Sequence, residues 1–510
     1  MFSLPLVLLV CILFLLYRAW RARTPRGASL PPGPKGLPFF GLVRNVPHDY
    51  AWLTYAEWAK KYGDVVYLKT YGQPLVILSS FKAANELFEK RSAVYSGRPR
   101  MVMADELMGW DWDFLHMTHS DRWRQHRRVF HQSFQPRAIQ GYHPIIRRAA
   151  LHLVINFAAT PEDFVNHIRH FSGGIVLRIA YGYDVTSKND EYVRLAQAAG
   201  GPLLQVVHAG SYLVEYIPVL KYIPSWFPGA AFKRHAKEWA KHAIRLRENP
   251  FESVKNAMHS GKARPSMVSK SFEKAHDVAS EEILKNCAGL AYAAGSDTTV
   301  SFLESWLLAM AMFPDAQKRA CDELDSVVGG NRLPDFPDRE FMPYLGAILM
   351  ETLRWNPTAP LGVPHATTEE DIYEGYYIPK GARVLGNYWA ISRDEELYPD
   401  PEMFRPERFL HERGQRELDP AITGAFGFGR RICPGRHLAV HSVWLAMAYT
   451  LALFEITPAI DERGHRIDLK RENVSGLTIH PKPFRIQLIP RSKDLANLVH
   501  VMNDDESFAC

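Results

Sequence analysis

The chain has 510 residues, 47% of them hydrophobic and 23% charged, a balance that supplies a sizeable core and excludes disordered, collagen-like and low-complexity classes. Basic residues exceed acidic ones by only 6 charges, too few and too dispersed to indicate nucleic-acid binding. The five cysteines, Cys11, Cys287, Cys321, Cys433 and Cys510, are odd in number and include no CxxC pair, so a disulfide framework or zinc finger is disfavoured and any important cysteine acts as a thiolate.

The first element, Phe2 to Tyr17, is uncharged. Extended through Trp20 it makes about 19 residues, roughly 28 Å of helix, which just spans a bilayer. A cleaved signal peptide is the competing reading, but no basic start and no small-x-small cleavage site accompany the stretch. Residues 1–20 are therefore expected to form a transmembrane anchor. Arg18, Arg21, Arg23 and Arg26 follow it, and the positive-inside rule puts the body on the cytosolic side. Residues 21–38 form a basic, proline-rich linker whose Leu30 to Pro38 run is a stiff spacer. Residues 39–492 then read as one large domain without internal repeats, and 493–510 as a tail.

Within the body, Val65 to Tyr71 and Pro74 to Leu78 have strand character. Asn286 to Met312 and Ala316 to Val328 carry apolar residues at three- and four-residue steps, and Pro314 and Asp315 suit the first turn of the second helix. Proline and glycine cluster between Pro357 and Gly386 and from Tyr398 to Pro406, as in turn-rich connections. The fold class is mostly α with a minor β part. His116 with His119 and His167 with His170 have metal-capable spacing but no evident third ligand, and they read as ordinary histidines. The sequon Asn473-Val474-Ser475 reads as chance in a cytosolic body.

The most informative run is Phe426-Gly427-Phe428-Gly429-Arg430-Arg431-Ile432-Cys433-Pro434-Gly435, with an apolar helix opening near Arg436. Glycines permit tight turns, and a cysteine at a helix mouth beside arginines sits where a thiolate is stabilised. That environment suits a metal ligand or a nucleophile. A packed structural cysteine is the bland alternative. A phosphate loop is disfavoured because GxGxxG lacks its third glycine and no long strand precedes it.

FxxGxRxCxG is the heme-binding signature of the cytochrome P-450 family, and Phe426, Gly429, Arg431, Cys433 and Gly435 fill every defined position. The chain resembles that family's microsomal type from the spacer to about Pro490. The resemblance implies a cytochrome P-450 fold, a single large heme domain with an N-terminal transmembrane helix in the endoplasmic reticulum membrane. It also implies iron protoporphyrin held axially by the Cys433 thiolate, which pushes electron density onto the iron, with loop amides directed at the sulfur.

Other family landmarks follow in order. Ala294-Gly295-Ser296-Asp297-Thr298-Thr299 is similar to the oxygen-binding segment: Ala294 and Gly295 leave room, Thr298 bonds the carbonyl one turn back and positions protons or water, and Asp297 relays them. Glu351 and Arg354 match ExxR, sharing a helix face. Arg408, in Pro406-Glu407-Arg408-Phe409, completes their structural network. Trp123 and Arg127 match WxxxR. Together with Arg98, His365 and Arg431 they are the implied partners of the heme propionates, which need cations if buried.

In function the resemblance implies a monooxygenase that inserts one atom of dioxygen into a lipophilic small molecule, similar to fungal enzymes of secondary metabolism acting on polyketide, terpenoid or indole scaffolds. Met101 to Met117 and Gly200 to Gly229 correspond to variable substrate loops, although their apolar residues could instead anchor loops to the core or bilayer. No flavin or nicotinamide fingerprint is present, so electrons come from NADPH-cytochrome P-450 reductase, with cytochrome b5 as a further donor. Arg122, Arg124, Arg127, Arg128, Arg430 and Arg436 offer a basic docking face. Alternatives are a heme-thiolate isomerase, dehydratase or peroxygenase, or a non-catalytic heme sensor.

Overall fold

One helix, Val278–Met312, organises the molecule. In this computed structural model, the structure describes residues 27–491 apart from 39, 44–45, 186–189, 208–210, 273–276, 330–331, 411–421 and 423. The expected anchor at 1–20 and tail at 493–510 lie outside the described residues, and among those described no helix is long and apolar enough to cross a membrane.

The central helix starts before Asn286, where its apolar periodicity begins, because Asp277 caps it: the carboxylate accepts the Ser280 N–H at 2.7 Å. With 35 residues it is about 50 Å long. From Thr299 to Ala311 every residue is buried, as in a helix that crosses a core. The helices Asp121–Phe134, Phe164–Tyr181, Ala231–His259, Pro343–Trp355 and Arg436–Leu453 pack around it. At Gly295 an added Cβ would stand 3.0 Å from Val176, so the Phe164–Tyr181 helix approaches the central one more closely there than a side chain allows.

The β part is small. Val65–Thr70 pairs antiparallel with Gln73–Leu78, which pairs parallel with Arg383–Gly386, which in turn pairs antiparallel with His365–Ala366. Two strands of this sheet thus come from the Pro357 to Gly386 stretch, whose strands of two to four residues are too short to show alternation in sequence. The described part of the spacer lies on this sheet, with the Tyr67 N–H donating to the Pro32 carbonyl at 2.9 Å.

Pro343–Trp355 carries Glu351 and Arg354, both fully buried. Arg354 Nε and Nη2 each donate to Glu351 at 2.7 Å, and Arg408 Nε stands 3.2 Å from the same carboxylate. The Arg405 amide adds a bond at 2.7 Å, while Arg354 also reaches the carbonyls of Ser392, Pro401 and Met403. The sequon asparagine is used internally: Asn473 and Asn356 exchange amide hydrogen bonds at 2.8 and 3.0 Å.

Candidate active site

The cysteine loop is a chain of tight turns. Gly429 has φ 54° with the Phe88 carbonyl oxygen 2.3 Å from where a Cβ would lie, so glycine alone fits. The Glu89 carboxylate accepts the Gly429 N–H, and the Phe426 carbonyl accepts the Cys433 N–H at 2.7 Å, closing the loop at the mouth of the Arg436–Leu453 helix. Burial pushes the Cys433 thiol up, while hydrogen bonds from the amides of Gly435 and Arg436 and the charges of Arg127 and Arg436 pull it down.

The other two described cysteines have fewer of these groups: one amide hydrogen bond, from Phe130, at Cys287 and one cation, Arg491, near Cys321. Cys287 donates to the His126 carbonyl and Cys321 to that of Leu451. Burial pushes Cys287 well above the usual thiol range and Cys321 up to about 11, so both stay protonated. Burial still leaves the Cys433 thiol raised, but among the described cysteines it is the one that combines two amide hydrogen bonds with two cations, the groups that would steady a metal-bound thiolate.

Four other segments converge on this loop. Ser120 caps the Asp121–Phe134 helix and thereby orients Trp123, which is buried with the Arg431 guanidinium 4.5 Å above its ring. Arg127, one turn on, donates to the Ile432 carbonyl at 2.6 Å. Arg431 donates to the carbonyls of Ser96 and Met117 at 2.9 and 2.7 Å. Arg98 donates to those of Leu115, Val363 and Pro364. His365 Nδ1 lies 2.7 Å from the Tyr95 carbonyl, so Nδ1 carries the hydrogen.

These cations are undercompensated. Burial first, and the positive charge of Arg98 and Arg127 second, push Arg431 down to about 8. Burial likewise pushes Arg98 to about 9 despite the opposing charge of Asp113, and holds His365 well below its usual value. Carbonyl oxygens rather than carboxylates take up the guanidinium hydrogens. A buried cationic cluster of this kind gains from an anion. The residues present fit heme: a sulfur with two amides and two cations turned to it for the metal, and Arg98, Arg431, Trp123 and His365 for its carboxylates.

On the central helix, Ala294 and Thr298 are exposed among half-buried neighbours, in a stretch bounded by buried Tyr292 and Thr299, one turn apart on one face. Thr298 Oγ1 donates to the Ala294 carbonyl at 3.0 Å. Ser172, from the Phe164–Tyr181 helix, donates to the Gly295 and Ser296 carbonyls at 3.0 and 2.9 Å. Side-chain hydroxyls thus bond three successive carbonyls of this turn, the pattern of a locally perturbed helix. Asp297 meets His480 at 3.3 Å, and His480 in turn meets Glu304 at 2.7 Å. Sequence reading missed Ser172, Glu304 and His480, for none belongs to a local motif.

The two variable loops behave differently. Met101–Met103, Trp110, Trp112 and Phe114 are buried, with Trp112 packed 3.1 Å from where a Cβ on Gly289 would lie, so this loop is anchored to the core. Val219, Tyr222 and Trp226 of the second loop are 64%, 74% and 78% exposed. Glu215 joins the loops, accepting the amides of Val102 and Met103 at 3.1 and 2.7 Å. His116 lies 3.4 Å from Asp113, and His167 bonds Thr160, while the described residues contain no cluster able to hold a bare metal ion.

Comparison with known proteins agrees with this geometry. The family model described as cytochrome P-450 matches residues 31–488. A cytochrome P-450 monooxygenase of Coprinopsis cinerea is 41% identical over 482 residues, 93% of this chain and 92% of the relative. Another, of Ampulloclitocybe clavipes, is 38% identical over 483 residues, 94% and 90% of the two chains. The tryptamine 4-monooxygenase of Psilocybe cyanescens is 38% identical over 506 residues, 97% and 98% of the two chains.

Proposed function

The chain belongs to the cytochrome P-450 family and is a heme-thiolate monooxygenase, and from that premise we propose that Cys433 is the axial ligand and that Thr298 and Asp297 form the proton path. When bound, the heme supplies the redox chemistry that splits dioxygen, with two electrons from a redox partner, into one inserted oxygen atom and one water. The observation that carries the assignment is the contrast among cysteines: two loop amides and two cations face Cys433, against one amide at Cys287 and one cation at Cys321.

The chain's own groups then have distinct tasks. Phe426 and Gly435 shape the loop around the sulfur, and Arg127 ties the helix carrying Trp123 to it. Arg98, Arg431, Trp123 and His365 hold the carboxylate edge, where an anion relieves the repulsion between the two arginines. Ala294 and Gly295 keep the facing helix turn small. Thr298 orients water and protons, and Asp297, half-exposed, takes protons up from solvent and passes them on. Glu351, Arg354 and Arg408 hold the core without touching the chemistry.

The family implies a lipophilic substrate and a redox partner. We assign the partner as NADPH-cytochrome P-450 reductase, with cytochrome b5 as an accessory donor, docking on exposed Arg122, Arg124, Arg128 and Arg430 with Arg436 beside them. The apolar residues 2–17 and the exposed Val219, Tyr222, Trp226 and Phe227 support anchoring at the cytosolic face of the endoplasmic reticulum. The relatives, among them one named for tryptamine, support a small aromatic or lipophilic metabolite of fungal secondary metabolism as substrate. Isomerase, peroxygenase and sensor readings gain nothing from relatives that are themselves monooxygenases.

The test is expression of the full chain with the reductase in microsomes, fed indole, terpenoid and polyketide lipophiles and read by mass spectrometry. A product heavier by one oxygen atom that requires NADPH, lost in Cys433→Ser together with the thiolate carbon-monoxide spectrum, is the expected result. Product formation without reductase, or an unaltered spectrum in the serine variant, overturns the proposal.

A further inference from the structure

Asp297 and Glu304 are seven residues apart on the central helix, close to two full turns, so their carboxylates share a face. His480, in the short strand His480–Pro481, stands between them with Nδ1 2.7 Å from Glu304 Oε2 and Nε2 3.3 Å from Asp297 Oδ2. An ionised carboxylate only accepts, so each ring nitrogen that faces one carries a hydrogen, and a ring engaged on both sides is an imidazolium. The strand is pinned to the same helix, since Ser301 Oγ donates to the Ile479 carbonyl at 2.6 Å.

The two carboxylates differ in freedom. Glu304 is 7% exposed at its side chain, whereas Asp297 is 42% exposed and adjoins Thr298. Glu304 is the fixed counter-ion and Asp297 the end that can move. Among the described residues the charged groups facing His480 are these two from the central helix; just past its strand, Lys482 pairs with Glu472 at 2.9 Å.

We propose that His480 is a positioning residue for proton delivery: fixed by Glu304, its imidazolium draws the Asp297 carboxylate to the side of the helix and so sets where that group stands beside Thr298. The inference rests on the reading of Asp297 and Thr298 as the proton path. It adds no redox step; the proton taken from solvent leaves in the water that the known reaction forms. Burial works against the charge of His480, yet the hydrogen bonds and charges of Asp297 and Glu304 outweigh it and push the ring up to about 9. The hold on Asp297 is therefore present at neutral pH and is lost as pH rises through about 9.

The experiment uses the full-length heme-loaded protein with reductase and NADPH and no added substrate. It measures hydrogen peroxide released per NADPH consumed between pH 6 and 10 for the wild type, His480→Gln, His480→Lys, Glu304→Gln and Thr298→Ala. With an intact thiolate carbon-monoxide spectrum, His480→Gln is expected to change the peroxide share at least about twofold and to flatten its pH dependence. His480→Lys, which keeps a cation, returns toward the wild type, and Glu304→Gln moves the alkaline midpoint to lower pH. The thermal midpoint of the wild type should exceed that of His480→Gln below pH 6.5, the gap closing as pH rises through about 9, because a raised basic pKa stabilises only while the proton stays bound. Gln and Lys variants that behave alike, or a wild-type profile in both, overturn the inference. If His480→Gln does not fold, an unmoved midpoint in Glu304→Gln does the same. An unchanged peroxide share in Thr298→Ala overturns instead the proton-path reading on which it rests.

Discussion

Arg354, fully buried, and Arg431, half-buried, both lie against an aromatic ring, of Tyr398 and Trp123 respectively, yet their surroundings are unlike. Arg354 meets Glu351 through two bonds of 2.7 Å, and Arg408 adds a second cation to the same acid, so the charges are held by the chain itself. Arg431 has only carbonyl oxygens, with Arg98 and Arg127 close enough to disfavour its charge. A network complete in the protein alone supports the fold, whereas one that lacks its anion is built to receive a ligand that brings it.

The comparison can be broken by substitution. Glu351→Ala strands two buried guanidiniums and is expected to cost about 3–5 kcal/mol, read as a lowered denaturation midpoint or loss of folded protein. A stability close to the wild type would remove the distinction between the clusters. Arg431→Gln removes a charge that the folded chain disfavours, so the heme-free chain should keep its denaturation midpoint. Heme affinity should fall about 10- to 100-fold, the worth of a charge-assisted hydrogen bond, measured as heme transfer to a scavenger apoprotein. Trp123→Leu takes away the ring under Arg431 and sharpens the contrast further, with about 1 kcal/mol lost and heme transfer roughly fivefold faster.

Much of the site was legible because short-range spacing encodes it. The turn at Gly429, the pairing of Glu351 with Arg354 and the bond from Thr298 to Ala294 all lie within one motif each, where helix or loop geometry fixes which groups meet. Asp297 and His480 are separated by 183 residues, and Ser172 from the Ser296 carbonyl by 124, with no repeating pattern to connect them. The strands between Pro357 and Gly386 were hidden for a related reason: runs of two to four residues are formed by their neighbours in the sheet rather than by an alternation of their own.

From residues alone came the fold class, the thiolate loop and the identity of the groups around it, since glycine conformations, helix periodicity and motif spacing are local properties of the chain. Tertiary packing settled which cysteine has amides and cations around its sulfur and which arginines go without a carboxylate. It also placed a histidine from a distant strand between two acids of the central helix. Burial and the meeting of distant charges set these properties, and both exist only once the chain has closed on itself.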